Sequence, residues 1–129
     1  MSEMDAIVME FVEEGGERIR QLESWLLQLE KDPNSSDLLV EIFRALHSIK
    51  GATSFLGFSR LCALAHDGEA LLAQLRDGTL VSNPEVVSAL LSLVDAIREM
   101  LAEIASTGQE AATDYTAVAS TLARLRKAT

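Results

Sequence analysis

One cysteine, Cys62, stands in 129 residues. It can form no internal disulfide, and without a second cysteine at metal-site spacing the thiol reads as a small buried residue of a reducing compartment. No run of about 18 apolar residues occurs, which argues against membrane insertion as a helix. The N-terminus MSEMDAIVMEF is acidic where an export signal is basic, so the expected location is cytoplasmic. Basic charge is scarce: 11 Lys and Arg face 20 Asp and Glu, a net −9, and the cations are scattered rather than striped. Such a surface repels phosphodiester backbones and argues against nucleic acid as a partner. Aromatics make up only 5% of the chain. Trp25, Phe43, Phe55, Phe58 and Tyr115 are read as core or loop-packing residues without a site.

A sustained period of two is also missing, and with it any sign of strands. What is present nearly everywhere is apolar spacing of three and four. That pattern predicts an all-α chain in a single domain, residues 1–129, with helices over about 2–30, 36–56, 59–77, 84–106 and 114–127. The first stripe is Met4, Ile7, Phe11, Ile19, Leu22, Leu26 and Leu29. It ends before Asp32-Pro33, because proline disfavours helix in the preceding residue. Gly15-Gly16 weakens its middle by roughly 1 kcal/mol per glycine, which predicts a kink or local opening.

Ser35-Ser36-Asp37 caps the second helix, whose stripe is Leu39, Ile42, Leu46, Ile49, Thr53 and Leu56. Gly57 stops it, and Ser59 starts a third helix whose buried side is Leu61, Leu64, Ala65, Gly68, Leu71, Leu72 and Leu75. Asp77-Gly78 closes that helix, and Asn83-Pro84 opens a fourth carrying Val87, Leu90, Val94, Ile97, Leu101 and Ile104. Four long helices with short connections predict an antiparallel up-down-up-down four-helix bundle, with the additional C-terminal helix laid against it.

One position on this scaffold carries chemistry. His47 follows the core residue Leu46, and one residue turns a helix by about 100°, so the imidazole sits at the stripe's edge within reach of water. Lys50 and Gly51 occupy the next turn on the same side. The Gly57 turn makes the second and third helices an antiparallel pair. His47 lies ten residues before Gly57, about 15 Å down its helix, so its opposite number falls near residue 67. His66 and Glu69 bracket that point and share one face. A carboxylate accepting from one ring N–H fixes a histidine's tautomer and leaves the other nitrogen free as nucleophile, base or ligand. Lys50 turns the balance toward an anion, since its charge would offset an arriving phosphoryl group while Gly51 leaves room for it.

LHSIKGATSFLGFSRL followed by LAHDGEALLAQLRDG resembles the histidine phosphotransfer (HPt) domain at the N-terminus of CheA-type chemotaxis histidine kinases. The resemblance is most specific over residues 43 to 78. It implies that His47 is phosphorylated on Nε2, that Glu69 orients it, that Lys50 answers the phosphoryl charge, that His66 joins the hydrogen-bond network and that Gly51 gives access. The implied role is a phosphoryl carrier of a two-component phosphorelay, taking the group from the ATP-binding domain of a histidine kinase and passing it to an aspartate of a response regulator receiver domain. ATP and Mg would sit on the partner kinase domain, with no cofactor in this chain. No glycine-rich ATP lid and no Asp-x-Gly-x-Gly box is present, so the chain is expected to act in trans or as a piece of a longer kinase. Arg44, Ser48 and Lys50 are expected to border the docking surface.

Two rival readings remain. Cys62 and His66 at i,i+4, with His47 and Glu69 nearby, form a conceivable four-ligand metal site, which the lysine opposes by repelling the cation. An acidic helical bundle whose polar cluster is incidental would be an adaptor that only binds other helices. Acid-labile phosphate on His47 separates the carrier from both.

Overall fold

The computed structural model describes residues 2–126. Its helices are α1 (Glu3–Lys31), α2 (Ser36–Leu56), α3 (Ser59–Arg76), α4 (Pro84–Thr107) and α5 (Thr116–Leu125), and no strand occurs among the described residues. Most helix ends have a local cause. Ser2 and Asp5 form a reciprocal capping box on α1, Ser35 Oγ accepts from Leu38 N–H at 3.3 Å on α2, and Asn83 Oδ1 accepts from Val86 N–H at 2.9 Å on α4. Gly57 ends α2 at φ 80°, a left-handed conformation that favours glycine.

α1 packs on α2 and α4, α2 on α3, and α3 on α4, which closes a ring of four helices, while α5 lies across α3 and α4. The core is a continuous cluster with Ile19, Leu26, Leu46, Leu61, Leu72 and Ile97 almost wholly removed from water. Each such side chain stabilises the fold by roughly 2 kcal/mol relative to exposure. α5 contributes the buried Leu122. No helix of the described residues is long and apolar enough to cross a membrane.

The structure corrects four details of the sequence reading. Met4, 57% exposed, and Ile7 lie outside the core, so the first apolar stripe begins at Phe11, which packs against Phe58 with ring centroids 5.9 Å apart. α1 is continuous through Gly15-Gly16, and Gly15 serves close packing: a Cβ there would meet Leu101 Cδ1 at 3.2 Å. Phe55 packs nothing in the core, being 79% exposed.

α3 starts at Ser59 as expected, and its N-cap residue, Phe58, makes no side-chain cap bond. Instead the Glu110 carboxylate reaches over from the α4–α5 connection and accepts from Arg60 N–H at 3.3 Å and Leu61 N–H at 2.7 Å. A negative group on the positive end of a helix is electrostatically favourable, and this one satisfies two orphan donors. Finally, α5 begins at Thr116 rather than near residue 114, because the Asp114 side chain accepts from both the backbone and the hydroxyl of Thr116 and holds a turn there. The expected end at residue 127 lies outside the described residues.

Candidate functional site

The site is built where α2 and α3 face each other. Their antiparallel packing around the Gly57 turn brings His47 Nδ1 to 3.0 Å from Glu69 Oε2, and Lys50 Nζ donates to Glu69 Oε1 at 2.9 Å. One carboxylate thus ties together the two residues that share a face one turn apart on α2. The side chain of Glu69 is only 14% exposed, that of Lys50 23%, and that of His47 61%. The anchor is recessed and the ring projects.

Burial of Glu69 by itself pushes its carboxyl up, but the hydrogen bonds from Lys50 and His47, together with their charges, outweigh that and hold it below its ordinary value of 4.5. Glu69 is therefore ionised at neutral pH and can only accept. It follows that the hydrogen between it and His47 belongs to Nδ1. In the neutral ring this leaves the lone pair on Nε2. Lys50 spends one of its three N–H donors on Glu69 and keeps two for an anion.

The backbone beneath is set by a second layer. Thr53, fully buried, donates its hydroxyl to Lys50 O at 2.7 Å, and Cys62 Sγ approaches the same carbonyl at 3.9 Å. Gly68, next to Glu69, is a point of close approach between helices: a Cβ there would fall 2.2 Å from Leu93 Cδ2 and 3.0 Å from Leu46 Cδ2. Its missing side chain lets α3 settle deep enough for Glu69 to reach across. Beside the cluster runs an open groove of about 740 Å³, bordered by Lys50, Gly51, Ser54, Cys62 and His66 among others. A Cβ on Gly51 would meet nothing within 4 Å, so the space beside Lys50 is clear.

One sequence expectation changes, and the rival metal reading finds no support. Among the described residues no hydrogen bond joins the exposed His66 ring to the others; it lines the groove instead of entering the network. No group of three or more His, Cys, Asp and Glu is placed to hold a metal ion among the described residues, so Cys62, His66, His47 and Glu69 are not gathered as ligands. Of the expected docking residues, Arg44 and Ser48 are exposed, whereas Lys50 is turned inward to Glu69. Arg44 stands 3.7 Å from Glu41.

Phe43, which the sequence reading left without a site, lies within it. Its ring is parallel to that of His47 to within 9°, with centroids 6.0 Å apart, and the Arg76 guanidinium sits over it at 4.4 Å. The i,i+4 spacing of Phe43 and His47 could have signalled the first contact; nothing in the sequence pattern signals the second.

Comparison with known proteins gives a consistent answer. The Hpt domain family model matches residues 6–107. The sensor histidine kinase CheAY of Helicobacter pylori is 34% identical over 110 residues, covering 85% of this chain and 14% of the relative. The phosphorylated P1 domain of CheA3 from R. sphaeroides, solved in complex with CheY6, superposes with a TM-score of 0.87 at 29% identity over 95% of this chain and 99% of that one. The CheA phosphotransferase domain of Thermotoga maritima gives a TM-score of 0.77 at 33% identity, covering 81% and 99%. The chain thus spans a small fraction of the length of the Helicobacter pylori kinase but nearly all of each solved domain.

Proposed function

The chain belongs to the Hpt domain family, and we propose on that premise that it is a phosphoryl carrier in which His47 is the phosphoacceptor. The observation that carries this assignment is the hydrogen bond that the Glu69 carboxylate accepts from Nδ1, which leaves the lone pair on Nε2 of a ring that is largely exposed.

The Nε2 lone pair attacks the γ-phosphorus of ATP held with Mg on a histidine kinase ATP-binding domain. The N–P bond forms as the bond to the β-phosphate bridging oxygen breaks, and ADP leaves with that electron pair. Nδ1 keeps its hydrogen throughout, and the positive charge that develops on the ring is balanced by the Glu69 carboxylate. Lys50 answers the negative phosphoryl oxygens with its remaining donors. In the second transfer an aspartate oxygen of a receiver domain attacks phosphorus, and the N–P electron pair returns to Nε2. Gly51 keeps the approach to the ring open, and Arg44 and Ser48 border the surface on which either partner lands. The complex of a similar P1 domain with CheY6 supports a receiver as partner. On this reading the carrier works in the cytoplasm, where its ATP-using donor would be, and the similarity to CheA proteins supports a chemotaxis-type pathway.

The test is incubation of the chain with radiolabelled ATP and a chemotaxis kinase core, beside the His47→Gln variant. Label on the wild type alone, lost in acid and stable in alkali, is expected. No label, with a core active on its own domain, would leave an adaptor bundle as the better reading.

A further inference from the structure

Glu69 fixes one point on the His47 ring and its tautomer, but one hydrogen bond does not fix a plane. The torsion that turns an imidazole about its Cβ–Cγ bond is broad, and a ring 61% exposed has solvent on much of its surface. Swinging about the Nδ1 contact would carry Nε2 along an arc, while in-line attack on phosphorus needs it in one place.

A second restraint is present. Phe43 lies one turn before His47 on α2, and their rings are parallel to within 9° with centroids 6.0 Å apart, an offset stack. Phe43 is in turn pinned from the other helix. Arg76, in the last turn of α3, places its guanidinium 4.4 Å from the Phe43 ring centroid, and its Nε donates to Asp77 Oδ1 at 3.2 Å, which holds the guanidinium itself. The imidazole is thereby held in two ways: through Glu69 of α3 at its Nδ1 edge, and through the parallel ring of Phe43 on α2, which Arg76 of α3 backs in turn.

We infer that Phe43 and Arg76 are positioning residues, which fix the plane of the His47 ring so that Nε2 meets the phosphoryl donor in one orientation. The inference rests on the phosphotransfer reading above. It assigns neither residue contact with the reacting atoms. Because the stack needs an aromatic face rather than apolar volume, phenylalanine and tyrosine are equivalent at this position and leucine is not.

The experiment measures kcat and KM of the full chain as substrate for a chemotaxis kinase core, for wild type, Phe43→Leu, Phe43→Tyr and Arg76→Gln. The same four proteins are followed by carbon relaxation of the His47 ring. Phe43→Leu is expected to lower kcat about tenfold with KM within about twofold, and to lower the ring's order parameter. Phe43→Tyr is expected to restore both, and Arg76→Gln to fall between wild type and Phe43→Leu. Wild-type kcat in Phe43→Leu, equal losses in Leu and Tyr, or a change confined to KM would overturn the inference. Should Phe43→Leu not fold, the exposed Arg76→Gln decides: an unchanged kcat and order parameter would count against the clamp. Absence of label on the wild type would instead strike the phosphotransfer reading itself.

Discussion

The α1–α4 seam and the α2–α3 pair are both helix–helix interfaces, but they do different work. α4 buries eleven residues, all apolar, among them Leu93, Ile97 and Leu101, and Gly15 of α1 lies directly against Leu101. Among the described residues the ion pair there lies on the outer surface, where Arg98 meets Glu23 at 3.2 Å. Across the α2–α3 pair, Leu46, Ile49, Leu61 and Leu72 fill the interior just as densely, yet the rim is occupied by His47, Lys50 and Glu69. Apolar packing sets where the helices lie, and the polar rim uses that placement to hold the His47 ring. Stability and chemistry should therefore separate by mutation.

The largest expected effect breaks the seam. Ile97→Ala removes a fully buried side chain and should cost about 2–5 kcal/mol in denaturant unfolding. Phosphotransfer per folded molecule should stay unchanged, because Ile97 belongs to the apolar core and takes no part in the His47–Glu69–Lys50 hydrogen bonds.

Next, Glu69→Gln acts on the rim. It should slow acceptance of the phosphoryl group by about tenfold or more by releasing tautomer and orientation, as single-turnover labelling would show. Its stability cost has a defined pH dependence. The folded carboxyl titrates below the 4.5 of an unperturbed group, so its contribution is fully present above about pH 4.5 and is lost as pH falls through the folded value. Wild type and variant unfolding curves should converge in acid; a gap that persists there would contradict the ion cluster.

A glycine pair sharpens the contrast further. Gly68→Ala forces a methyl against Leu93 and Leu46 and should destabilise by about 1–3 kcal/mol, while Gly51→Ala, in open space on a helix, should stabilise by about 1 kcal/mol and slow transfer by narrowing the approach. The smallest effect is expected at Glu110→Ala. It removes the remote cap of α3 at about 1 kcal/mol, read as a shift in thermal midpoint, and leaves the transfer rate alone.

Much of this architecture was legible because its causes are local. Ser35, Gly57 and Asn83-Pro84 bound their helices through contacts within a few residues, and the core side of α3 repeats at fixed spacing from Leu61 to Leu75. The meeting of His47 with Glu69 was also within reach, since a tight turn and a constant rise fix which residues oppose each other. What escaped spans distant elements or depends on side-chain direction. The Glu110 cap joins residues fifty apart, and Arg76 meets Phe43 from the end of another helix. His66 has the right spacing to share a face with Glu69, but its exposed ring lines the groove beyond the shared carboxylate. Met4 and Ile7 keep the helical period at the end of α1, where they stay exposed.

The most direct test of the central claim is to locate the phosphoryl group by nitrogen–phosphorus coupling in ¹⁵N-histidine-labelled, phosphorylated protein. The account requires the coupling at Nε2 of His47, with Nδ1 still protonated toward Glu69. Phosphorus on Nδ1, or on His66, would contradict it.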